Sequence, residues 1–139
     1  MHLKLNFIGR YILLIIFCLF LTISSYTQSD ELNNIKQLWE KSSIMKLSQH
    51  FDKRIQLILP QVNGKFSNRQ VTVILKDFIK ANPVSELKEI KTEGINGKRW
   101  FCILEYRSGR STLKILYQIR QIEQKYYITE ILIKKNNDD

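Results

Sequence analysis

The side chains best suited to covalent or metal chemistry are few in this chain: two cysteines, Cys18 and Cys102, and two histidines, His2 and His50. Cys18 and His2 fall in an N-terminal stretch that reads as a removable leader, so Cys102 and His50 are expected to stand alone in the mature chain. One cysteine forms no intramolecular disulfide, and one histidine excludes paired-histidine metal motifs and leaves a Ser/His/Asp arrangement a single candidate base. No metal site and no cofactor are expected. His50 follows a short helical stretch, where capping the last carbonyls is the commonest role for a histidine. Cys102 alternates with Trp100 and Leu104, the spacing of a buried strand residue, and reads as an inert core thiol.

Hydrogen-bonding groups in an apolar setting are the second kind of candidate. Trp100, Tyr106, Tyr117, Tyr127 and Thr129 are predicted to share the covered face of a sheet, where their polar tips can orient a small apolar ligand held under a helix. Acid–base catalysis needs a carboxylate or histidine aimed into such a pocket, and this face is predicted to hold no carboxylate. Asp77 falls on the solvent side of a helix, and Glu105 and Glu130 on the opposite sheet face. The expectation is therefore a non-enzymatic binding module, with a carrier of a small apolar ligand as the alternative and an enzyme of isomerase or dehydratase type as the third reading.

The elements that must position these residues follow from periodicity. Leu32, Ile35, Leu38 and Trp39 fall at helical spacing after Asp30, a candidate N-cap, giving a helix to about Lys41; a shorter one covers "SIMKLSQHF". Ile55, Leu57 and Leu59 alternate in a strand that stops at Pro60. Ser67 and Gln70 have the spacing of a capping box for a helix with an apolar stripe of Val71, Ile74, Leu75, Phe78 and Ile79, ended by Asn82-Pro83. From Glu86 onward the chain reads as four antiparallel strands separated by "NG", "SGRS" and "IEQ".

In "SGRS" the Gly-Arg pair suits a two-residue type II′ turn. That turn pairs Ser108 with Ser111 and fixes the register: Leu104 meets Ile115, Cys102 meets Tyr117, Trp100 meets Ile119, and Glu105 meets Lys114 on the other face. A three-residue loop at 122–124 then puts Tyr127, Thr129, Ile131 and Ile133 on the covered face. Phe101, Ile103, Leu116, Ile128 and Leu132 are left on the outer face, too apolar to stand bare, and a homodimer through that face is expected.

Lys4 and Arg10 precede an apolar run over residues 11–23, and no further charge occurs until Asp30. This is a signal-peptide layout over residues 1–27, with Ser25 and Thr27 as the small residues a signal peptidase reads and Tyr26 between them. The run falls short of the roughly 20 residues of a membrane span, and Phe17 before Cys18 argues against lipidation. The expected product is a single periplasmic or extracellular domain, residues 28–139 with a core of about 30–135, and membrane contact is expected only during export. Loss of Lys4 and Arg10 leaves 20 of the 22 basic side chains against 13 acidic ones, about +7. The charges are scattered, so no specific nucleic-acid binding is expected.

Trp39, "LSQHF" at 47–51, the Ser67/Gln70 start, "ILKDF" at 74–78, Asn82-Pro83 and the closing "YYITEILIKK" together resemble a family of small exported Bacteroidetes proteins catalogued as domain of unknown function 4783. The resemblance covers about residues 30–135. It implies an α+β fold like that of nuclear transport factor two, also called cystatin-like: N-terminal helices and one long helix packed on a curved antiparallel sheet. The residues that carry it are packing and capping residues, so it brings no catalytic residue with it.

Overall fold

The "SGRS" turn sets the architecture. Gly109 has φ 59° and Arg110 is not in the left-handed region, as the type II′ turn requires. Ser108 pairs with Ser111 between strands β4 (Arg99–Ser108) and β5 (Ser111–Ile122). Every pair predicted from that turn is present, from Tyr106 with Leu113 to Trp100 with Ile119. The computed structural model describes residues 2–21 and 27–136; the expected cleavage residues Ser25 and Tyr26 lie outside the described residues.

Two compact units make up the chain, Met1–Asn34 and Ile35–Asp139. The first contains helix α1 (His2–Leu21), whose apolar side chains from Phe7 to Phe17 are exposed. Among the described residues no helix is long and apolar enough to cross a membrane. Helix α2 (Thr27–Glu40) begins three residues before the predicted N-cap, so Asp30 sits in its first turn, where a carboxylate favours the helix dipole. The boundary between the units falls within α2.

The second unit holds the α+β domain. The short helix α3 (Ile44–Leu47) and a 3₁₀ turn (Ser48–His50) lead into β1 (Phe51–Leu59), which turns at Pro60-Gln61 into β2 (Val62–Ser67). Asn63 and Gly64 of β2 are poor strand formers. Antiparallel pairing with β1 overrides that preference, and Gly64 leaves the room that the Phe66 ring occupies.

Helix α4 (Asn68–Ala81) has the predicted capping box: Gln70 N–H donates to Ser67 Oγ at 3.3 Å, and Gln70 Oε1 accepts from Ser67 N–H at 3.0 Å. Asn68 anchors this start, its side-chain amide donating to the Ser48 and Phe51 carbonyls at 3.0 and 3.3 Å. At the other end Asn82 donates from both backbone and side chain to the Phe78 carbonyl.

Strand β3 (Glu86–Ile95) reaches β4 through Asn96-Gly97-Lys98, with Asn96 and Gly97 both left-handed, the conformation an Asn-Gly pair tolerates best. Strand β6 (Lys125–Lys135) completes one sheet in the order β2-β1-β6-β5-β4-β3. The sheet is mixed and not wholly antiparallel as predicted, because β1 lies parallel to β6. Antiparallel neighbours need only a tight turn, whereas a parallel pair needs a long crossover, and everything from β2 to β5 forms it here.

On the face covered by helices, Ile55, Leu57, Leu104, Ile115, Ile131 and Ile133 are buried together with Ile35 and Trp39 of α2 and Val71 and Leu75 of α4. Strand β6 departs from its predicted phase. The β5–β6 turn has two residues, Glu123 and Gln124, not three, and Glu123 takes φ 59°. A bulge then inserts Thr129 opposite the Gln118–Ile119 step. The two changes cancel beyond the bulge, so Ile131 and Ile133 face inward as predicted. Before it the phase is reversed: Tyr126 and Ile128 are buried, while Tyr127 and Thr129 turn to the other face.

Candidate functional site

Three regions of the second unit carry the features that function can use: a polar seam on the inner sheet face, an apolar row on the outer face, and a groove under the C-terminal half of α4.

The seam begins at β3. A bulge at Ile90 re-phases this strand, so Glu89, opposite Leu104, and Thr92, opposite Cys102, both lie on the inner face. The expectation of an inner face without a carboxylate is therefore wrong at Glu89. Lys36 of α2 donates to Glu89 Oε2 at 2.7 Å, and the Thr92 hydroxyl donates to Glu89 Oε1. The Lys36 hydrogen bond is the main cause that holds the Glu89 carboxyl below the usual carboxylate range, and the same bond raises Lys36. Behind this pair, Cys102 interacts with Tyr117 and Thr92; burial pushes its thiol up, against those hydrogen bonds. Tyr117 is pushed far up by burial, with Cys102 adding to the effect.

These groups are poorly suited to catalysis. Glu89 is held ionised with its lone pairs engaged, which makes it a weak base, and Cys102 is held as the thiol, which is the unreactive form. Among the described residues no cluster of three or more His, Cys, Asp or Glu is arranged to hold a metal ion.

Of the predicted pocket wall, Trp100, Tyr106 and Tyr117 share the inner face but are packed core, at 5%, 0% and 1% exposure. Trp39 fills the space against Tyr117 with ring centroids 5.7 Å apart, and Trp100 packs on Tyr126 at 5.4 Å. Gly94 lies opposite Trp100 in close approach, a Cβ there standing a tight 3.2 Å from the indole nitrogen. The Tyr106 hydroxyl donates to the Asn82 carbonyl at 3.4 Å, and burial lifts its pKa to about 12. Tyr127 and Thr129 belong to the outer face through the bulge, and Thr129 Oγ lies 3.4 Å from Gln118 Oε1. His50 is the last residue of the 3₁₀ turn and is half-buried.

The outer face carries an apolar row across four adjacent strands. Ile58 pairs with Leu132, Leu132 with Leu116, and Leu116 with Ile103, all half-buried. Phe101 adjoins the row on β4. Ile128, predicted to belong here, is instead fully buried on the inner face because it precedes the bulge. Ile58 takes its place, brought to the row only by the parallel pairing of β1 with β6, which no local feature of the sequence marks.

The groove has a volume of about 560 Å³. Ile74, Phe78 and Asn82 of α4 and its C-cap roof it, Leu59 and Leu113 floor it, and Lys135 and Asp77 stand at its margin. Its apolar lining and size are those of a small-molecule site. The apolar stripe of α4 is thus divided: Val71 and Leu75 are buried in the core, whereas Ile74 and Phe78 remain half-buried over the groove.

A family model described as a domain of unknown function (DUF4783) matches residues 32–134. A DUF4783 family protein from Bacteroides ovatus has a similar structure, with TM-score 0.63 and 19% identity over 69% of this chain and 86% of that one. One from Bacteroides fragilis gives 0.64 and 19% over 69% and 90%. A steroid delta-isomerase from Pseudomonas aeruginosa gives 0.60 and 13% over 79% and 80%. None of the curated proteins matches the chain. The likenesses establish a nuclear-transport-factor-2-like, cystatin-like α+β fold, as the resemblance read from the sequence implies.

Proposed function

The chain belongs to the DUF4783 family, and from that premise we propose that it is an exported, non-catalytic binding domain that pairs with a second copy of itself through the outer face of its sheet. The observation that carries the reading is the row Ile58, Leu132, Leu116 and Ile103, one apolar residue from each of four neighbouring strands. A sheet face that stays wet on its outer side ordinarily presents polar residues there.

The residues beside the row favour a second copy over an unrelated partner. On β6, Glu130 and Lys134 flank Leu132 on the same face. A two-fold axis lying along the row carries one side of it onto the other, so Lys134 of each copy faces Glu130 of the second. On β5, Lys114 likewise comes to face Gln118 across Leu116. Such an interface is self-complementary, as two-fold symmetry requires, and leaves the two sheets with aligned strands.

Export is supported by the leader layout and by the exposed apolar side chains of α1. The absence of a catalytic role is supported by the state of the seam, where Glu89 is ion-paired and Cys102 is held protonated.

Light scattering of the protein recovered from its own envelope tests the pairing, and its mass tests removal of residues 1–27. The expected result is a dimer that Glu130→Lys weakens and that Glu130→Lys with Lys134→Glu restores. A monomer at all accessible concentrations, or a dimer indifferent to the single charge reversal, overturns the reading.

A second reading is favoured by the groove under α4: carriage of a small apolar ligand between helix and sheet. The site differs from the one predicted, since Leu59, Ile74, Phe78 and Leu113 line it and the tyrosines do not. Native mass spectrometry of the same preparation distinguishes the two readings by an added mass that leaves on denaturation.

A further inference from the structure

On the other flank of α4 lies a groove of about 620 Å³ between α3 and α4. Its apolar part is Ile44, Met45 and Ile79, and its rim carries Lys46, Lys76 and Lys80 against one carboxylate, Asp77. Among the described residues, ion pairs join Lys36 to Glu89, Lys91 to Glu93 and Arg107 to Glu86, and the three lysines stand outside them. Two large apolar side chains near them face solvent: Met45 is 60% exposed and Val73, one α4 turn before Lys76, is 55% exposed.

We infer that this α3–α4 face docks on an anionic phospholipid surface. Lysine stems lie along apolar surface while their ammonium groups reach a charged layer, and the exposed Met45 beside Lys46, with Val73 one helical turn before Lys76, can enter the boundary between headgroups and acyl chains. Lysine acts as a point charge on a flexible stem, matched to the diffuse charge of a headgroup layer, whereas fixed recognition of one carboxylate or phosphate favours the arginine fork. The groove also lies on helices and offers no free strand edge, so it lacks the main-chain donors and acceptors that align an extended peptide. The net charge, +9 for the full chain and about +7 without Lys4 and Arg10, favours approach to an anionic surface from any direction, and the three lysines select which face arrives. This inference departs from the expectation that membrane contact ends with export. It does not depend on the sheet-to-sheet pairing, because α4 packs on the inner face and the apolar row lies on the outer one.

Co-sedimentation of the full chain with vesicles tests it, using phosphatidylcholine alone and phosphatidylcholine mixed with phosphatidylglycerol. The readout is the difference between the two vesicle types, compared among variants that all keep helix α1 with its Lys4 and Arg10. The expected result is preferential binding to the phosphatidylglycerol vesicles that falls with added salt. Lys46→Glu with Lys76→Glu should lower it by more than about tenfold, since each lysine near an anionic surface is worth roughly a fivefold change. Lys98→Glu with Lys125→Glu makes the same change in net charge away from the groove and should lower it by far less. Equal binding to both vesicle types overturns the inference. Equal loss in the two double variants also overturns it, by assigning the binding to net charge alone.

Discussion

The two faces of the one sheet obey the same alternation and end in opposite states. On β5, Leu113, Ile115, Tyr117 and Ile119 point inward and are at most 4% exposed, while Leu116, one residue away, is only half-buried. The inner face is closed by Trp39 and Ile35 of α2 and by Val71 and Leu75 of α4. The outer face has an apolar row, and the helices of the second unit that close the core pack on the other side of the sheet. Alternation thus tells which residues share a face, but the supply of helices decides which face becomes core. A face left over with apolar residues is where a partner is to be sought.

The sharpest way to break this comparison is to truncate neighbours. Ile115→Ala should cost about 2–5 kcal/mol, since it removes a fully buried side chain, whereas Leu116→Ala in a monomer should cost about 1 kcal/mol or less. Denaturant unfolding of the two variants measures both, and equal losses would mean that the outer face is covered too. A larger loss for Leu116→Ala at high protein concentration than at low would sharpen the comparison, because stability coupled to association depends on concentration.

Phe78→Ala comes next. The stripe predicted from sequence puts Phe78 in the core, but its position over the groove leaves it half-buried, so the expected loss is about 2 kcal/mol, less than for a filled core position. A loss as large as that of Ile115→Ala would show the groove closed in solution.

The smallest effect concerns the exposed margin of the inner face. The Glu89 carboxyl is depressed in the folded state, so its contribution is present above its unfolded pKa and is lost as pH falls through the folded value. Lys36 is raised, so the contribution of the same pair is lost again at alkaline pH as the lysine deprotonates. With side chains 27% and 35% exposed, solvent screening holds the pair to less than about 1 kcal/mol. Glu89→Gln should therefore lower the midpoint slightly near neutral pH and merge with the wild type at acid pH. A difference that persists in acid would assign Glu89 a role in packing and not in charge.

Much of the fold was legible because it rests on local rules. The Ser67/Gln70 box, the Asn82-Pro83 stop and the Gly109-Arg110 turn each act within a few residues, and the turn alone sets ten pairs between β4 and β5. The candidate sites were less legible. Glu89 reached the inner face through a bulge at Ile90, and Tyr127 and Thr129 left it through the two-residue turn and the bulge at Thr129. A bulge shifts phase by one residue, which reverses every side chain up to the next irregularity, and strand composition carries no mark of it.

Composition, spacing and turn chemistry determined by themselves the basic-then-apolar pattern of the first 23 residues, the helix that starts at Ser67, the register of the central hairpin and the scarcity of cysteine and histidine. Only the tertiary structure decided that β1 lies parallel to β6, that Ile58 completes the outer row, and that α4 opens a groove on either flank. The physical reason is range. Caps and tight turns are satisfied by neighbours in the chain, whereas strand order, bulges and grooves depend on which distant surfaces are left to bury one another.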